Sequence, residues 1–437
     1  MDRILEIPCA AGNYYNLELI NDRIYYLFNS SETQGSKFKL YDLSKQKETE
    51  LGQNTNYALS SNGKKMLLMQ GGKYGIVDLP TGKASIEEPV NLSGLKVMVD
   101  KQEEWQQIFD ETWRHMRDFF YDRNMHGVNW KAMHDKYKPL VQYVRHRSDL
   151  SYLLGEMIAE LNVGHAYVNN GEREMPERIP MGLLGARLSR AESGYFRIDK
   201  ILEGANWSAE LRSPLTESGL TVKEGQFITM IDGQSVKDIQ DIYSMLVGKA
   251  NQLVELMVSP TSDGANAKPA LVKTLSSESS LIYYEWVQAN TKKVDEATNG
   301  EVGYIHIPDM GVTGLNEFVK HYYPQLTKKA LIIDDRGNGG GNVSPMIIER
   351  LQREITYATV FANQKKGSVN PGGTLAGPKI TLIDRYSASD GDLFPYRFKK
   401  LQIGKLVGTR TWGGVVGYSG AIPCIDGGSI ITPAFAP

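Results

Sequence analysis

Cysteine is almost absent from this chain, whose 437 residues include only Cys9 and Cys424. A disulfide framework needs several cysteines, and a zinc site needs closely spaced cysteines or histidines, so neither pattern is present. Two unrelated thiols are the simplest interpretation, although a single disulfide between them stays open. The seven histidines also lack metal-ligand spacing. We therefore predict no structural metal and no cofactor.

A strong net charge and long apolar runs are missing as well. The formal net charge is −2, which gives no reason to expect nucleic acid or an anionic membrane as a partner. No apolar run approaches the roughly 20 residues of a membrane-spanning helix. The first residues, Met-Asp-Arg-Ile-Leu-Glu-Ile-Pro, lack the apolar core of a signal peptide. With 41% hydrophobic residues, the composition is that of a soluble globular protein.

The length predicts several domains, because one domain typically has about 100–200 residues. We place the first domain at residues 1–92, where short apolar or alternating runs are separated by polar turns such as Asn62-Gly63. These runs begin at Leu17, Arg23, Lys37, Lys65 and Tyr74. The spacing is typical of β-propeller blades, but one or two blades cannot close a ring of about 4–8. We therefore interpret this segment as the end of a propeller, and the chain as a fragment.

Residues 93–178 change to helical periodicity. Apolar residues recur every three or four positions, which predicts one buried face of a helix. These residues are Trp105, Phe109, Trp113, Met116 and Phe120. A second helix is predicted over 148–161, with Ser148 or Asp149 as its N-cap. It leads into the short segment Asn-Val-Gly-His165.

Residues 179–275 combine strands with one helix, predicted over 238–247. The stretch Met181-Gly-Leu-Leu-Gly185 is similar to the carboxylate-binding loop of PDZ domains, and residues 222–236 are similar to a second PDZ motif. PDZ domains bind peptide C-termini by strand addition, with loop N–H groups on the carboxylate. The candidate substrate-binding residues are Gly182, Leu183, Leu184 and Gly185. A generic small β-domain is the alternative.

Residues 276–437 alternate strands with helices, which is the pattern of an α/β domain with a buried sheet. Strands are predicted over 303–307, 330–334, 380–383 and 406–408, and helices over 315–326, 343–352 and 393–401. The loop Asp334-Asp-Arg-Gly-Asn-Gly-Gly-Gly-Asn342 joins a strand to a helix. Its glycines let backbone N–H groups approach a ligand. It is not a P-loop, because no Gly-Lys-Ser/Thr follows.

The segment Tyr386-Ser-Ala-Ser-Asp-Gly-Asp392 lies between the third of these strands and the last helix. A serine at a strand-to-helix turn exposes its hydroxyl beside free backbone N–H groups, which suits a nucleophile and the oxyanion it creates. Serine, aspartate and glycine are also ordinary turn residues. The motif alone therefore does not distinguish a nucleophile from a plain turn.

Taken in order, these segments resemble the tricorn protease family, which are serine peptidases of the tail-specific protease clan. Five motifs carry the resemblance over essentially the whole chain. They are Arg117-Asp-Phe-Phe-Tyr-Asp, Glu-Leu-Asn-Val-Gly-His165, Asp335-Arg-Gly-Asn-Gly-Gly-Gly, Ser387-Ala-Ser-Asp-Gly-Asp and Gly408-Thr-Arg-Thr-Trp-Gly-Gly. The resemblance implies a multidomain α/β plus β architecture. Its parts are the end of a β-propeller, a helical segment, a PDZ-like domain and a crotonase/ClpP-like α/β catalytic domain.

The resemblance also implies catalytic roles. It makes Ser389 the nucleophile and His165 the general base, with the N–H groups of Gly340 and Asp390 as the oxyanion hole. A neutral imidazole suits the base role. His165 lies 224 residues upstream of Ser389, but a catalytic triad is a spatial arrangement without a required chain order.

Two alternatives concern the nucleophile and its base. Ser387 is a competing nucleophile, which we place second because Ser389 directly precedes the Asp-Gly. A Ser–Lys dyad is the other arrangement within this clan. We disfavour it here because Gly414 stands at the lysine position.

The chain departs from the tricorn pattern at two points. The family has a serine before the base histidine, where this chain has Gly164, and that serine belongs to the orienting hydrogen-bond network. The family's glutamate, the fourth member of the network, would lie beyond Pro437, and a final strand pair is expected to be missing too. We therefore expect a nucleophile, a base and an oxyanion hole without the orienting group.

The sequence thus predicts a serine endopeptidase that cleaves peptides or unfolded polypeptides through an acyl-enzyme. A catalytically impaired peptide-binding PDZ module is the alternative that the two departures leave open. An acyl-CoA enzyme of the crotonase type is a third alternative, supported by fold resemblance alone. The resemblance implies a homo-oligomer, a hexamer, in the cytoplasm. A periplasmic location stays open if an N-terminal signal is missing from the fragment.

Overall fold

The computed structural model describes residues 7–30, 35–169, 171–172, 175–365 and 367–437. The chain divides into two compact units, residues 1–99 and 100–437. Within the described ranges, every helix is too short or too polar to cross a bilayer. The same ranges contain no group of three or more His, Cys, Asp or Glu side chains that could hold a metal ion. Both cysteines are free thiols.

The first unit contains two antiparallel sheets. The first sheet consists of β1 (Asn13–Ile20), β2 (Arg23–Asn29), β3 (Lys37–Asp42) and β4 (Lys47–Gln53), and the second of β5 (Thr55–Leu59), β6 (Lys65–Gln70) and β7 (Lys73–Asp78). Tyr25, Phe38 and Met66 are fully buried in a core that both sheets share. The predicted runs fall within β1, β2, β3, β6 and β7. The mostly polar β4 and the short β5 were not predicted, because neither has a continuous apolar run.

A four-stranded antiparallel sheet connected in chain order is the form of one propeller blade. The described part of this unit consists of two open sheets and forms no ring, so the propeller stays a prediction. The Asn62-Gly63 turn is confirmed, since it connects β5 to β6. Gly63 has a φ angle of 64°, which favours glycine because it has no Cβ.

Three helices open the second unit, namely α1 (Lys101–Phe119), α2 (Trp130–Tyr137) and α3 (Arg147–Ala159). The predicted apolar stripe of α1 is confirmed, since Trp105, Phe109 and Met116 are buried in one core. Trp113 is partly buried against this core, and Phe120, the residue after α1, is buried in it. The predicted N-cap of the second helix was wrong. His146 precedes α3, and Asp149 lies inside its first turn, where the carboxylate accepts the His146 N–H at 3.1 Å.

The PDZ-like segment is an antiparallel sheet preceded in the chain by β8 (Tyr167–Asn169). Its strands are β9 (Ala186–Arg190), β10 (Phe196–Ile201), β11 (Phe227–Ile231), β12 (Gln234–Ser235), β13 (Leu253–Ser259) and β14 (Lys268–Lys273). They are adjacent in the order β14-β13-β11-β10-β9, with β12 paired to β11. The helix predicted over 238–247 is only a short 3₁₀-helix, Ile242–Leu246. It starts late because the Asp241 side chain caps it by accepting the Tyr243 N–H.

The predicted α/β domain, residues 276–437, has a parallel four-stranded sheet in the order β15-β16-β19-β20. In chain order its elements are α4 (Ser279–Ala297), β15 (Val302–His306), α5 (Val312–Tyr322), β16 (Ala330–Asp334), α6 (Ser344–Leu351), β17 (Tyr357–Thr359), β18 (Ser368–Asn370), β19 (Lys379–Ile383), α7 (Asp390–Lys400) and β20 (Gly404–Gly408). All four sheet strands and the helices α5, α6 and α7 were predicted. Helix α4 was missed because only Leu281 and Val287 are buried among its 19 residues, so its apolar stripe is weak.

The end of the chain returns to the helical segment. Strands β21 (Gly417–Pro423) and β22 (Ser429–Phe435) form a hairpin, and β22 also pairs with β8 through Ile430 and Val168. A buried ion pair between Arg147 and Asp426 connects the same two regions. Residues far apart in sequence are therefore joined in one three-stranded sheet.

Candidate active site

Ser389 lies in the turn between β19 and α7, immediately before the helix. Its φ of 60° and ψ of −119° lie outside the regions that ordinary residues occupy. A strained strand-to-helix turn of this kind exposes the nucleophile in many serine hydrolases. The Ser389 carbonyl accepts the N–H groups of Asp392 and Leu393, at 2.9 and 3.1 Å, and so starts the helix. Its side chain lines an open cavity.

The competing serine is placed differently. Ser387 is fully buried, and its Oγ donates a hydrogen bond to the Asp335 carbonyl at 2.7 Å. This bond ties the turn to the loop that follows β16. Ser387 is not part of the cavity lining, so the geometry favours Ser389 as the reactive hydroxyl.

His165 reaches the same cavity from the helical segment. Strand β8 starts two residues after His165. It pairs with β22 and holds the histidine against the α/β domain. Its imidazole is only 7% exposed, and its ring lies 5.5 Å from the Trp412 ring and 5.9 Å from the Tyr418 ring. Burial lowers the pKa of His165, and the charge of Asp392 opposes this shift. The histidine is therefore neutral at neutral pH, as a general base must be.

Ser389 and His165 both line a cavity of about 700 Å³. No hydrogen bond joins the two side chains, and catalytic hydrogen bonds are often long before substrate binds. The other lining residues are Tyr167, Gly339, Gly340, Gly341, Asn342, Asp390, Leu393, Val415, Val416, Gly417, Tyr418 and Phe435. The first three glycines and Asn342 come from the loop after β16, and the last five residues come from β21 and β22 or from the loop before them. Four regions of the chain therefore meet at one site, namely the segment at His165, the loop after β16, the start of α7 and the β21–β22 hairpin with the loop before it.

The two predicted oxyanion donors are neighbours, but they differ in availability. A Cβ added at Gly340 would lie 2.6 Å from Ser389 Cβ and 3.1 Å from the Asp390 nitrogen. Among the described residues the Asp390 N–H has no hydrogen-bond acceptor, whereas the Gly340 N–H donates to Asn338 Oδ1 at 2.9 Å. The Asp390 carboxylate accepts hydrogen bonds from the Ser344 N–H and Oγ, at 2.9 and 2.6 Å. One free donor therefore stands beside Ser389, and the second is held by a side chain.

A polar cluster anchors the start of the glycine-rich loop. Arg336 donates to Asp334 from Nε at 2.8 Å and from Nη2 at 2.6 Å. His306 Nε2 donates to the Arg336 carbonyl at 3.0 Å, while its Nδ1 accepts the Tyr283 hydroxyl at 2.9 Å. Both the side chain and the carbonyl of Arg336 are therefore held at the start of this loop.

The predicted PDZ-like loop does not line this cavity. Its N–H groups are used within the chain, because Gly182 donates to the Leu246 carbonyl and Leu183 to the Leu275 carbonyl, each at 2.8 Å. Gly185 donates to the Glu278 carboxylate at 2.7 Å. The Leu184 side chain is fully buried. The loop therefore offers few free donors to a peptide carboxylate.

Two buried carboxyl groups beside the site were not predicted. Asp392 is 5% exposed, and its Oδ1 accepts the Gly413 N–H at 2.7 Å. Asp335 is fully buried, and neither of its carboxyl oxygens has a hydrogen-bond partner within the described ranges. Burial, and then the charges of Asp334 and Asp392, raise the pKa of Asp335 well above its usual value. Two features of the sequence could have indicated these carboxyl groups. They are the adjacent acids Asp334-Asp335 and the second acid of Ser-Asp-Gly-Asp392.

Replacing Asp335 with asparagine should stabilise the fold at neutral pH. A raised folded-state pKa means that the stability from neutral Asp335 is fully present below about pH 4 and is lost as the pH rises. Asparagine stays neutral at every pH, so we expect a gain of about 1–3 kcal/mol at pH 7 and little gain near pH 4. Urea unfolding at both pH values measures this difference. A gain of equal size at both values would contradict the explanation.

Family profiles match three parts of the chain. They are the tricorn protease C1 domain at residues 101–159, the tricorn protease PDZ domain at 182–277 and peptidase family S41 at 301–436. The chain is 33% identical over 460 residues to "Tricorn protease homolog 1" of Streptomyces coelicolor, covering 100% of this chain and 42% of that protein. It is 33% identical over 388 residues to "Tricorn protease" of Thermoplasma volcanium, covering 87% of this chain and 36% of that protein.

A solved structure gives the same picture. The "Crystal structure of the tricorn protease" superposes with a TM-score of 0.89 at 29% sequence identity, covering 98% of this chain and 42% of that one. The chain thus spans about two fifths of the length of these relatives.

Proposed function

The chain belongs to the tricorn protease family, and from this premise we propose that it carries a serine endopeptidase site that cleaves peptides or unfolded polypeptides. The observation that carries the proposal is the convergence of Ser389, His165 and the free Asp390 N–H on one cavity. Ser389 supplies a hydroxyl in a strained turn, and His165 supplies a neutral imidazole. A positioned base is what turns a serine hydroxyl into a nucleophile.

In the proposed reaction, Ser389 Oγ attacks the scissile carbonyl carbon while His165 takes the hydroxyl proton. The carbon–nitrogen bond then breaks, and His165 gives the proton to the leaving amine, which leaves an acyl-enzyme on Ser389. Water attacks the ester, His165 takes a proton from that water, and the proton returns to Ser389 Oγ as the acid leaves. No proton or electron is left over in this cycle.

The oxyanion that forms in each half of the reaction needs hydrogen-bond donors. The Asp390 N–H is available without rearrangement. The Gly340 N–H can act as a second donor only if it releases Asn338 Oδ1 and binds the oxyanion instead. Each such donor contributes about 3 kcal/mol to transition-state stabilisation, so this exchange has a large effect on rate.

The proposal also covers assembly and delivery of substrate. By resemblance to the tricorn family, we propose a cytoplasmic homo-oligomer, a hexamer. The first unit, as the end of a propeller, and the PDZ-like domain would deliver or filter substrate. Light scattering on the purified protein tests the oligomeric state.

The endopeptidase proposal is tested with one substrate protein in an unfolded and a folded form. A reduced and alkylated protein should be cut into peptides, whereas the same protein in its folded, disulfide-bonded form should resist. A fluorophosphonate should form one covalent adduct per chain, observed by intact-mass measurement. Absence of both cleavage and adduct would overturn the proposal.

The second candidate, a PDZ module that only binds peptide C-termini, is disfavoured by the occupied loop. We expect the parent chain to bind free peptide C-termini weakly, because the Glu278 carboxylate already occupies the Gly185 N–H. Glu278→Gln removes that negative charge and should increase affinity several-fold, measured by fluorescence anisotropy with an amidated peptide as the ligand control. Glu285→Gln is the matched control, since this carboxylate lies in α4, seven residues after Glu278, and pairs with Lys200 instead. Equal affinity in parent and Glu278→Gln would contradict internal occupation.

A further inference from the structure

The site described above leaves His165 without an orienting hydrogen bond. Its Nδ1 is buried and has no partner within the described part of the chain. Gly164 offers no hydroxyl, and a Cβ there would lie 3.0 Å from the Trp412 indole. A side chain at position 164 would therefore require the Trp412 indole to shift by a few tenths of an ångström. Position 164 therefore supplies no hydrogen-bonding side chain to this imidazole.

Asp392 is buried beside the same indole loop. It lies in the first turn of α7, three residues after Ser389, where a carboxylate is favoured by the helix N-terminus. Its Oδ1 is held by the Gly413 N–H at 2.7 Å, whereas its Oδ2 is buried without a hydrogen-bond partner in the described ranges. A buried carboxylate oxygen without a partner is costly, and such an atom needs an explanation.

The loop at residues 412–413 connects this carboxylate to the imidazole. The Trp412 ring packs against His165 with ring centres 5.5 Å apart, while the next residue, Gly413, binds Asp392. The Trp412 N–H donates to the Ser387 carbonyl at 3.0 Å, which ties the loop to the nucleophile's turn. Asp392 and His165 therefore lie against the same short loop, each with one unpartnered polar atom. The charge of Asp392 also acts on His165.

We propose that Asp392 is a positioning residue for His165, and that its free Oδ2 stabilises the imidazolium formed when the ring takes the Ser389 proton. Asp392 stays a carboxylate throughout, so no proton is transferred to it. The inference rests on the proposed function, because it assigns a partner to the base of that reaction. It also gives the chain a source of orienting charge that does not depend on a hydroxyl at position 164.

The other titratable groups around the pair do not supply this charge. His165 is also faced by the rings of Tyr167 and Tyr418, neither of which is a carboxylate. Asp392 is also faced by Asp335, and burial raises the pKa of that carboxyl well above its usual value. Among the described residues, Asp392 is the carboxylate whose charge acts on His165.

The test uses Asp392→Asn in two assays. In the Ser389→Ala background, NMR titration of labelled histidine, assigned with His165→Gln, should show a lower His165 pKa by about one unit, because the imidazolium loses its anionic partner. With Ser389 present, fluorophosphonate labelling should slow by about 10–100-fold. The acid limb of the pH profile of the labelling rate should move to lower pH by the same amount as the His165 pKa.

The control is Asp335→Asn, which changes a neighbouring buried acid but leaves the Asp392 charge. It should keep the His165 pKa and the labelling rate close to those of the parent. Asp392→Glu keeps the charge and should restore most of the His165 pKa. Asp392→Ser replaces the asparagine variant if that variant does not fold.

The outcomes separate the two proposals. Slower labelling with an unchanged His165 pKa would overturn the positioning role, since Asp392 would then act only in packing. If the parent chain is not labelled at all, the peptidase proposal fails, but the NMR titration still decides the coupling. A fall in the His165 pKa supports Asp392 as its partner, and an unchanged value rejects it.

Discussion

Replacing Ser389 with alanine should abolish covalent labelling by a fluorophosphonate and reduce peptide cleavage by at least about a thousandfold. The variant removes only the Oγ atom, so the strained turn with its φ of 60° has the same steric demand on Cβ as before. The fold should therefore be unchanged, which circular dichroism and the urea midpoint can check. Intact-mass measurement counts the adduct.

Ser387→Ala is the matched control for this experiment, because it removes a hydroxyl two residues away in the same turn. That hydroxyl is buried and bound to the Asp335 carbonyl, so its loss should cost about 1 kcal/mol of stability and leave labelling intact. His165→Ala should lose labelling to a similar extent as Ser389→Ala, because a serine without its base is unreactive. An adduct that persists in Ser389→Ala would reject this residue as the nucleophile.

Gly340→Ala should produce the second large effect, a loss of about 100–1000-fold in the labelling rate. Gly340 has a φ of 84°, and an added Cβ would lie 2.6 Å from both the Ala388 carbonyl oxygen and Ser389 Cβ. The methyl group would push the nucleophile's turn away from the loop and misplace the oxyanion donors. Because a non-glycine residue is strained at this φ, we also expect a stability loss of about 1–3 kcal/mol.

Gly339→Ala is the control for this prediction, since Gly339 lines the same cavity one residue earlier. No heavy atom lies within 4 Å of the position that its Cβ would take. We therefore expect labelling and stability close to those of the parent chain. Similar losses in both variants would show that the loop tolerates no side chain anywhere, and would reject the specific contact of Gly340 with the turn.

The sequence was a good guide where structure follows from local pattern. The apolar runs at 330–334 and 380–383 became neighbouring parallel strands, and the stripe that begins at Trp105 became the buried face of α1. It was a poor guide where tertiary contacts override local preference. The cap of α3 and the length of the 238–247 helix were both wrong, because His146 and Asp241 took the capping positions. The weakly amphipathic α4 was missed.

In the candidate site, too, some features follow from local motifs and others only from tertiary contacts. The Ser-Asp-Gly-Asp turn and the glycine-rich loop can be recognised from short motifs, since the turn geometry depends on residues that are adjacent in sequence. Local motifs could not show that Ser387 is buried, or that Asn338 holds the Gly340 N–H. They also gave no sign that Glu278 occupies the PDZ-like loop. Each of these facts depends on which distant group a side chain or N–H meets after folding.

The sequence by itself determined most of the elements and the residues Ser389 and His165 as candidates, because hydrophobic periodicity and turn chemistry act over a few neighbouring positions. Only the tertiary structure decided that His165 and Ser389 share a cavity. That meeting requires β8 to pair with β22, across more than half of the chain. It also decided that Asp392 is buried against the loop that packs on His165, since the local pattern marks the acid but not its surroundings. Contacts between distant segments are set by the packing of whole elements, and that information is spread over the entire chain.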